Sequence, residues 1–264
     1  MATVAQIRDR LLERVPAYMK LDFDNVGLLV GRQDKEVRRA LVSLDITVSV
    51  IAEAAELGAE LIVSHHPVIF HALKSVTDGD PAGEKVLELA ERGIAAICLH
   101  TNLDTAAGGV NDALMTAMGV AEPRMIEPHG KHPDGAPYGI CRVGELPESV
   151  AMADFLPRLK KALGANGLRY HDAGKPVWKI GCCGGSGGDY LEAALRCGCD
   201  TFVTGDVKYD RFLDAKALGI NLIDAGHYPT EQVVVPVLRD LLRLDFPELD
   251  VSLSAVHGQT AQFC

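Results

Sequence analysis

The fold is decided by residues 40–67, which read ALVSLDITVSVIAEAAELGAELIVSHHP. Two apolar runs rich in β-branched residues flank an amphipathic stretch, which predicts a strand at 40–46, a helix at 48–57 and a strand at 60–64. Thr47 is suited to the N-cap of that helix and Gly58 to its C-cap. A strand–helix–strand unit implies a parallel pair of strands in a sheet covered by helices.

The same order of elements recurs later in the chain. The first half continues with a predicted helix at 82–92 and a strand at 94–99. The second half repeats strand, helix, strand, helix and strand at 177–183, 189–197, 201–204, 210–218 and 220–224. The sequence therefore predicts an α/β fold with two related α/β lobes, each a mainly parallel sheet covered by helices. We place the lobes at 1–125 and 126–264, joined through the Pro-, Gly- and His-rich stretch 122–137.

The amino-acid composition argues against some classes of function. The 264 residues are 48% hydrophobic, and 26 basic against 36 acidic side chains give a net charge of −10. Such an acidic chain is repelled by phosphate backbones, so nucleic acid is not an expected partner. No segment approaches the roughly 20 apolar residues of a membrane span, and the N-terminus lacks a signal-peptide pattern. Seven cysteines without a C-x-x-C motif predict reduced thiols and a cytoplasmic location.

Histidines mark the ends of three predicted strands. Two of the three histidine-containing turns also carry a carboxylate four residues later. The residues concerned are His65, His66, His100 with Asp104, and His227 with Glu231. Because the carboxyl ends of parallel strands lie at one edge of a sheet, these side chains can converge.

Imidazole and carboxylate groups together are the ligands of divalent transition metals. Five or six such groups exceed the three protein ligands of a typical catalytic zinc ion, and they suit two ions that share a bridging carboxylate. We therefore predict two divalent ions per chain as cofactors. Mixed nitrogen and oxygen ligands leave Zn, Fe, Mn, Ni and Co open.

Seven short motifs indicate a resemblance to a known family. The sequence resembles the GTP cyclohydrolase 1 type 2 family of dinuclear-metal-centre proteins, and the matching motifs run from residue 24 to residue 231. They are Asp24-Asn25-Val26-Gly27-Leu28-Leu29-Val30-Gly31, Ser64-His65-His66-Pro67, His100-Thr101-Asn102-Leu103-Asp104, Gly109-Val110-Asn111-Asp112, Gly185-Ser186-Gly187, Thr204-Gly205-Asp206 and Asp224-Ala225-Gly226-His227-Tyr228-Pro229-Thr230-Glu231. The chain departs from the family pattern where it has Phe23 in place of Trp and Asp210 in place of His.

The resemblance implies a metal site, an assembly and an activity. It implies two lobes with the metal site in the cleft between them, and a ring-shaped homohexamer. The metal ligands that it implies are His65, His66, Asp104, His227 and Glu231, with Glu231 bridging the two ions. It leaves His100 as a ligand, a group that supports a ligand, or an acid/base, and we take His100 as the catalytic candidate.

The leading functional hypothesis is a dinuclear metal-dependent hydrolase. Paired ions make a water molecule acidic enough to provide hydroxide near neutral pH. The family name implies ring opening of a guanine nucleotide such as GTP, a small-molecule substrate, with release of formate. Two alternatives stay open: a metal-dependent phosphoester hydrolase, and a non-catalytic metal-binding scaffold or regulatory protein.

Three further features of the sequence allow predictions about the site. The loop 184–188, GGSGG, either contacts an anion through its backbone N–H groups or is a tight turn that lets other groups approach closely. Asp45 and Asp206 are expected in caps or turns, with Asp45 also an alternative to His100 as the acid. Glu231 precedes an apolar run, which predicts that it lies in the first turn of a helix.

Overall fold

The computed structural model describes residues 1–264. The strands are β1 (Ala2–Thr3), β2 (Gly27–Val30), β3 (Glu36–Val37), β4 (Arg39–Ser43), β5 (Leu61–Ser64), β6 (Ala95–Cys98), β7 (Arg124–Met125), β8 (Gly130–Lys131), β9 (Pro137–Tyr138), β10 (Arg142–Val150), β11 (Arg169–His171), β12 (Val177–Cys182), β13 (Thr201–Thr204), β14 (Asn221–Asp224) and β15 (Asp250–Leu253). The helices are α1 (Val4–Arg14), α2 (Val48–Glu56), α3 (Pro81–Glu91), α4 (Thr101–Thr105), α5 (Val110–Ala117), α6 (Met152–Ala162), α7 (Leu191–Arg196), α8 (Tyr209–Leu218), α9 (His227–Gln232) and α10 (Val235–Asp245). Short 3₁₀ segments lie at Ala17–Met19 and Gly188–Tyr190. None of the helices combines the length and apolar character that crossing a membrane requires.

The chain forms two compact units. The first comprises Met1–Leu103 and Val235–Gly258, and the second comprises Asp104–Val234 and Gln259–Cys264. This division differs from the predicted one at residue 125. The chain leaves the first unit inside α4, and its C-terminal part returns to that unit because β15 pairs in parallel with β4. A division by contiguous segments could not anticipate this return, since the choice of a sheet neighbour is made by tertiary packing.

The first unit is built on a five-stranded sheet in the order β15-β4-β5-β6-β2. Strands β15, β4, β5 and β6 are parallel, and β2 is antiparallel at the edge. The Thr47 hydroxyl accepts a hydrogen bond from Val50 N at 3.2 Å and caps α2 as predicted. A buried core that includes Leu41, Ile51 and Ile62 packs between α2, α3 and the sheet. The predicted strand–helix–strand unit is therefore confirmed.

The second unit is built on a six-stranded sheet in the order β11-β14-β13-β12-β10-β7. Only its central strands β12, β13 and β14 are parallel, so the sheet is mixed rather than mainly parallel. Strand β10 pairs antiparallel with β12 and loses register between Glu145 and Val150. Pro147 lies in that irregular segment, where the missing N–H does not interrupt the ladder.

An ionic contact in the first unit is expected to make the stability of the protein depend on pH. Asp245, at the end of α10, accepts hydrogen bonds from Arg10 and Arg14 of α1, and its side chain is 5% exposed. The hydrogen bond from Arg14 is the main reason that the pKa of Asp245 lies below its usual value. A carboxyl whose pKa is lower in the folded state contributes stability above its unfolded pKa of roughly 3.9, and this contribution is lost as the pH falls through the folded pKa.

We therefore expect Asp245→Asn to melt at a lower temperature than the wild type at pH 7. The deficit should shrink below about pH 4, as the wild-type carboxyl becomes protonated. Asp240→Asn is the matched control on the same helix, because Asp240 is 63% exposed and its ion pair is with the neighbouring Arg239. Thermal melts of the three proteins from pH 7 to pH 2.5 check the prediction, and a deficit that does not change with pH would contradict it.

Candidate metal centre

His65 is held in place by the backbone of the first unit. It follows β5 directly and is completely buried. Its Nδ1–H donates to the carbonyl oxygen of Leu99, just beyond β6, at 2.9 Å. Because one ring nitrogen carries the proton in neutral imidazole, this bond leaves the lone pair on Nε2.

His66 is oriented by a carboxylate. Its Nδ1–H donates to Asp45 Oδ1 at 2.7 Å, and His257 Nε2 lies 2.9 Å from the other oxygen of Asp45. Burial opposes the ionisation of Asp45, but hydrogen bonds from His257 and His66 outweigh that effect, and the pKa of Asp45 lies well below its usual range. Asp45 is therefore a carboxylate that positions two imidazoles, which is unlike the cap or acid expected from the sequence.

His100 has a comparable partner on the loop before β2. Its Nδ1–H donates to Asp24 Oδ1 at 2.7 Å, and the Thr101 backbone N–H and hydroxyl donate to Asp24 Oδ2. Burial raises the pKa of the Asp24 carboxyl, yet the hydrogen bonds from His100 and Thr101 hold it at about 2. Asp24 therefore stays ionised at neutral pH and orients the His100 ring through Nδ1.

Three of the imidazoles of the first unit, those of His65, His66 and His100, form one cluster. A ring nitrogen of each lies within 4.8 Å of a ring nitrogen of the other two, and the ring centroids are 4.9–5.5 Å apart. All three Nδ1 atoms donate to oxygens, so in the neutral rings the lone pair lies on Nε2. Neutral imidazoles with the second nitrogen fixed by a protein oxygen are the usual ligands of divalent metals. The residues of this cluster are His65, His66 and His100.

The second unit places an imidazole and a carboxylate on the short helix α9. His227 Nδ1 donates to Asp206 Oδ2 at 2.7 Å, and His227 Nε2 lies 3.1 Å from Glu231 Oε2. A lone pair on Nε2 and an anionic oxygen repel each other at this distance unless a proton or a cation lies between them. Glu231 is only 3% exposed. The pair could therefore hold a proton or a metal cation between its two atoms.

Asp206 is held in a strained backbone conformation. Its φ of 51° is the one positive φ of a non-glycine residue in the chain. An L-residue adopts this region at a cost of roughly 1–2 kcal/mol, which Asp and Asn tolerate better than most residues. The strain is explained by the contact with His227, because strained residues concentrate where a side chain must be aimed.

The glycine-rich loop makes room for Glu231. A Cβ at Gly185 would collide with Glu231 Oε1 and lie 3.2 Å from His227 Nε2, and a Cβ at Gly184 would lie 3.4 Å from Glu231 Cγ. Three N–H groups of the loop already donate to oxygens of Asn111, Thr230 and Thr204. The loop is thus a tight turn that lets the carboxylate approach, and these three groups are not available to an anion.

Asn111 links the same loop to the segment of Asp104. Its side chain is completely buried; Nδ2 donates to the carbonyl oxygen of Asp104 at 3.0 Å, and Oδ1 accepts from Gly184 N at 2.8 Å. Asp104 is 6% exposed and lies in α4. One amide therefore fixes two backbone segments that carry or surround candidate ligands of the second unit.

Most of the candidate residues lie in two groups, one in each unit. His65, His66 and His100 lie together in the first unit, and His227 and Glu231 lie together in the second. Glu231 is the fifth residue of α9 and not in the first turn of a helix, because the helical turn already begins at His227 and α10 begins only at Val235. The supporting residues Asp24 and His257 carried no spacing signal that single-sequence reasoning could use.

The role of Asp206 can be tested by a substitution that keeps the backbone. Asp206→Asn retains a residue tolerant of positive φ but removes the negative charge beside His227 Nδ1. We expect unchanged thermal stability and a roughly 10- to 100-fold loss of affinity for Zn²⁺ or Co²⁺, the usual cost of losing a carboxylate that supports a metal-bound histidine. Asp210→Asn removes the same charge from an exposed site nearby on α8. Equal affinities of the two variants in metal titrations would refute the role.

The fold and the donor groups define an α/β protein whose strand ends carry histidine and carboxylate groups that could hold a metal ion. The chain belongs to the Duf34/NIF3 (NGG1p interacting factor 3) family, whose model matches residues 2–261. The resemblance expected from the motifs is thereby confirmed.

Several relatives show how far the similarity extends. The chain is 37% identical over 221 residues to a GTP cyclohydrolase 1 type 2 homolog of Clostridium perfringens, covering 83% of both chains. It is 33% identical over 245 residues to a protein of the same name from Lactococcus lactis, covering 90% of this chain and 91% of that protein. Among solved structures, a Bacillus cereus protein related to NIF3 has a TM-score of 0.94 at 23% identity and covers 100% of this chain and 99% of its own. A Staphylococcus aureus protein described as hypothetical has a TM-score of 0.92 at 29% identity, with 99% of each chain covered.

Proposed function

We propose that this protein is a dinuclear metal-dependent hydrolase that acts on a guanine nucleotide. In this proposal His65, His66, Asp104, His227 and Glu231 would hold two divalent ions, and both ions would share Glu231. The observation that carries the proposal is the fixed orientation of the imidazoles. His65, His66 and His227 each use Nδ1 as a donor to a protein oxygen, which fixes the ring orientation and tautomer that a metal-binding imidazole needs.

The donor set also fits the charge of two ions. The carboxylates of Asp104 and Glu231 are both buried, and a buried carboxylate is costly unless a positive charge compensates it. Two dications repel each other strongly, and an anionic oxygen between them reduces that repulsion. Bound ions of this kind lower the pKa of a coordinated water and so supply a nucleophile near neutral pH.

The chain's own residues supply the remaining chemistry. His100, backed by the ionised Asp24, is suited to hold a proton and pass it to a leaving nitrogen of the substrate. Asp45 and Asp206 keep His66 and His227 in their tautomers. Complete burial of His65 keeps water away from one side of the cluster.

The choice of substrate rests on the relatives. Proteins that are 33–37% identical over most of this chain bear the name GTP cyclohydrolase 1 type 2 homolog. For this protein we therefore propose opening of the guanine ring with loss of C8 as formate. Hydrolysis of a phosphoester is the second candidate, because paired ions serve that reaction well, and a metal-binding scaffold without turnover is the third. A homohexameric assembly and a cytoplasmic location belong to the same proposal and rest on the resemblance and on seven free thiols.

Two measurements test the proposal together. Elemental analysis of protein purified without chelator and supplied with metal should give close to two divalent ions per chain, and His227→Ala should reduce that number. The metal-loaded protein should release formate from GTP and lose this activity on chelation. Phosphate release without formate would favour the phosphoester hydrolase, and no product at all would favour the scaffold. A reproducible content of one ion that His227→Ala leaves unchanged would end the dinuclear hypothesis, and a monomer in light scattering would end the hexamer.

A further inference from the structure

Two exposed aromatic rings stand beside His100 in the first unit. Phe23 is 65% exposed and Phe70 is 39% exposed. Their ring centroids are 6.1 Å apart with an interplanar angle of 74°, and the centroid of Phe70 is 5.8 Å from that of His100. Large apolar rings are normally buried. An exposed pair beside a candidate catalytic residue therefore indicates a surface that binds another molecule. We name Phe23 and Phe70 the aromatic pair.

The backbone that carries the aromatic pair is fixed in place. Phe23 directly precedes Asp24, whose carboxylate is bound by His100 and Thr101. The Asn25 side chain donates to the carbonyl oxygen of Ile69 at 2.7 Å and so ties the segment of Phe23 to the segment of Phe70. Such preorganisation lowers the entropy lost on binding a ligand.

We propose that the aromatic pair is a stacking platform for the planar heteroaromatic ring of the substrate, such as a purine base. Aromatic side chains bind bases through their π-faces without needing a charged partner. A ring that is 65% exposed presents at least one face to solvent, and contact between Phe70 and His100 brings a stacked ligand within reach of the proposed proton donor. The inference rests on the proposed function, since it assigns the position of the substrate's ring at that same site.

An aromatic and an aliphatic side chain differ in what they can bind at this place. An aliphatic residue would satisfy an apolar contact equally well but would not stack. This difference makes a substitution series possible that separates stacking from apolar packing.

Calorimetry of the metal-loaded protein with GTP and with tripolyphosphate, which lacks the ring, tests the platform. Phe70→Leu keeps apolar volume but removes the π-face, and we expect its Kd for GTP to rise roughly 5- to 150-fold, the range for loss of one base–aromatic stack. Its Kd for tripolyphosphate and its metal content should stay at wild-type values, and Phe70→Tyr should restore GTP binding. Trp178→Ala is the matched control, because Trp178 is 43% exposed and lies at the start of β12 in the second unit.

A fluorescence experiment reports on stacking directly. Trp178 is the one tryptophan of the chain, so Phe23→Trp in a Trp178→Phe background places the only indole in the aromatic pair. We expect GTP and guanosine to quench this fluorophore and tripolyphosphate to leave it unchanged. Absence of quenching at concentrations that saturate the calorimetric signal would overturn the platform.

The outcomes for the platform and for the hydrolase are distinguishable. Formate release with a KM for GTP that Phe70→Leu does not change would overturn the platform and leave the hydrolase standing. Ring-dependent binding that Phe70→Leu abolishes, without any formate, would support the platform and count against ring opening. A metal-loaded wild type that binds no purine would overturn the platform as well. If Phe70→Leu instead changes the oligomeric state and leaves GTP binding unaltered, the aromatic pair is a contact between copies of the chain and the proposal is wrong.

Discussion

Replacement of Gly185 by alanine is expected to abolish the binding of metal while the protein remains folded. The added Cβ would collide with Glu231 Oε1 and approach His227 Nε2 to 3.2 Å. The loop cannot move away easily, because Gly185 N donates to Thr230 Oγ1 and its carbonyl oxygen accepts from Gly205 N at 2.7 Å. The Glu231 carboxylate must therefore be displaced from the position beside His227.

Gly164→Ala is a closely matched control for this experiment. Both glycines have similar positive φ values, +63° at Gly185 and +60° at Gly164, and a Cβ at Gly164 meets nothing within 4 Å. Each substitution should cost roughly 1–2 kcal/mol of stability from backbone strain. Only Gly185→Ala should lose metal in titrations with Zn²⁺ or Co²⁺. If both variants retain two ions, the loop does not shape the site; if both lose them, the effect comes from general destabilisation.

Glu231→Gln is expected to weaken both metal sites together. A bridging carboxylate contributes to two ions, whereas His65→Ala removes one ligand of a single site and leaves the others in place. The glutamine also removes the charge that offsets two dications. We expect the affinity for both ions to fall by more than the roughly 10- to 100-fold typical of a lost supporting group, and we expect His65→Ala to show one weakened and one nearly normal ion.

Metal titrations of the two variants, with thermal melts of the metal-free proteins as controls, check this prediction. Glu231 is the fifth residue of α9 and is not placed in a first helical turn. The helix-dipole contribution that a first-turn carboxylate would make is therefore absent, and the melts should differ little for that reason. If folded Glu231→Gln binds two ions with near wild-type affinity, the bridging role is wrong and the ligand set must be redrawn.

Local patterns in the sequence account for much of the fold. The apolar run at 61–64 and the Thr47 cap gave β5 and the start of α2 where the structure has them, because strand periodicity and capping are short-range effects. The candidate ligands were identified for a related reason. A histidine directly after a buried strand can only lie at the sheet edge, so His65, His66 and His100 had to be close once the strands paired in parallel.

The supporting groups could not be identified in this way. Asp24 contacts His100 across 76 positions of the sequence and Asn111 contacts Gly184 across 73, and neither pair has a recognisable spacing. The return of β15 to the first sheet likewise depends on which edge of that sheet is open after the chain has folded. Such contacts are set by the packing of whole elements, which no local propensity records.

The sequence by itself determined the α/β alternation, the order of the elements and the placement of imidazoles and carboxylates at strand ends, because hydrophobic periodicity and position along a strand are local properties. Only the tertiary structure decided the tautomers of the histidines, the strained φ of Asp206 and the space that Gly185 leaves for Glu231. Each of these depends on a partner from a distant segment of the chain. The position of a lone pair, or the absence of a Cβ, affects the site only when that partner lies next to it.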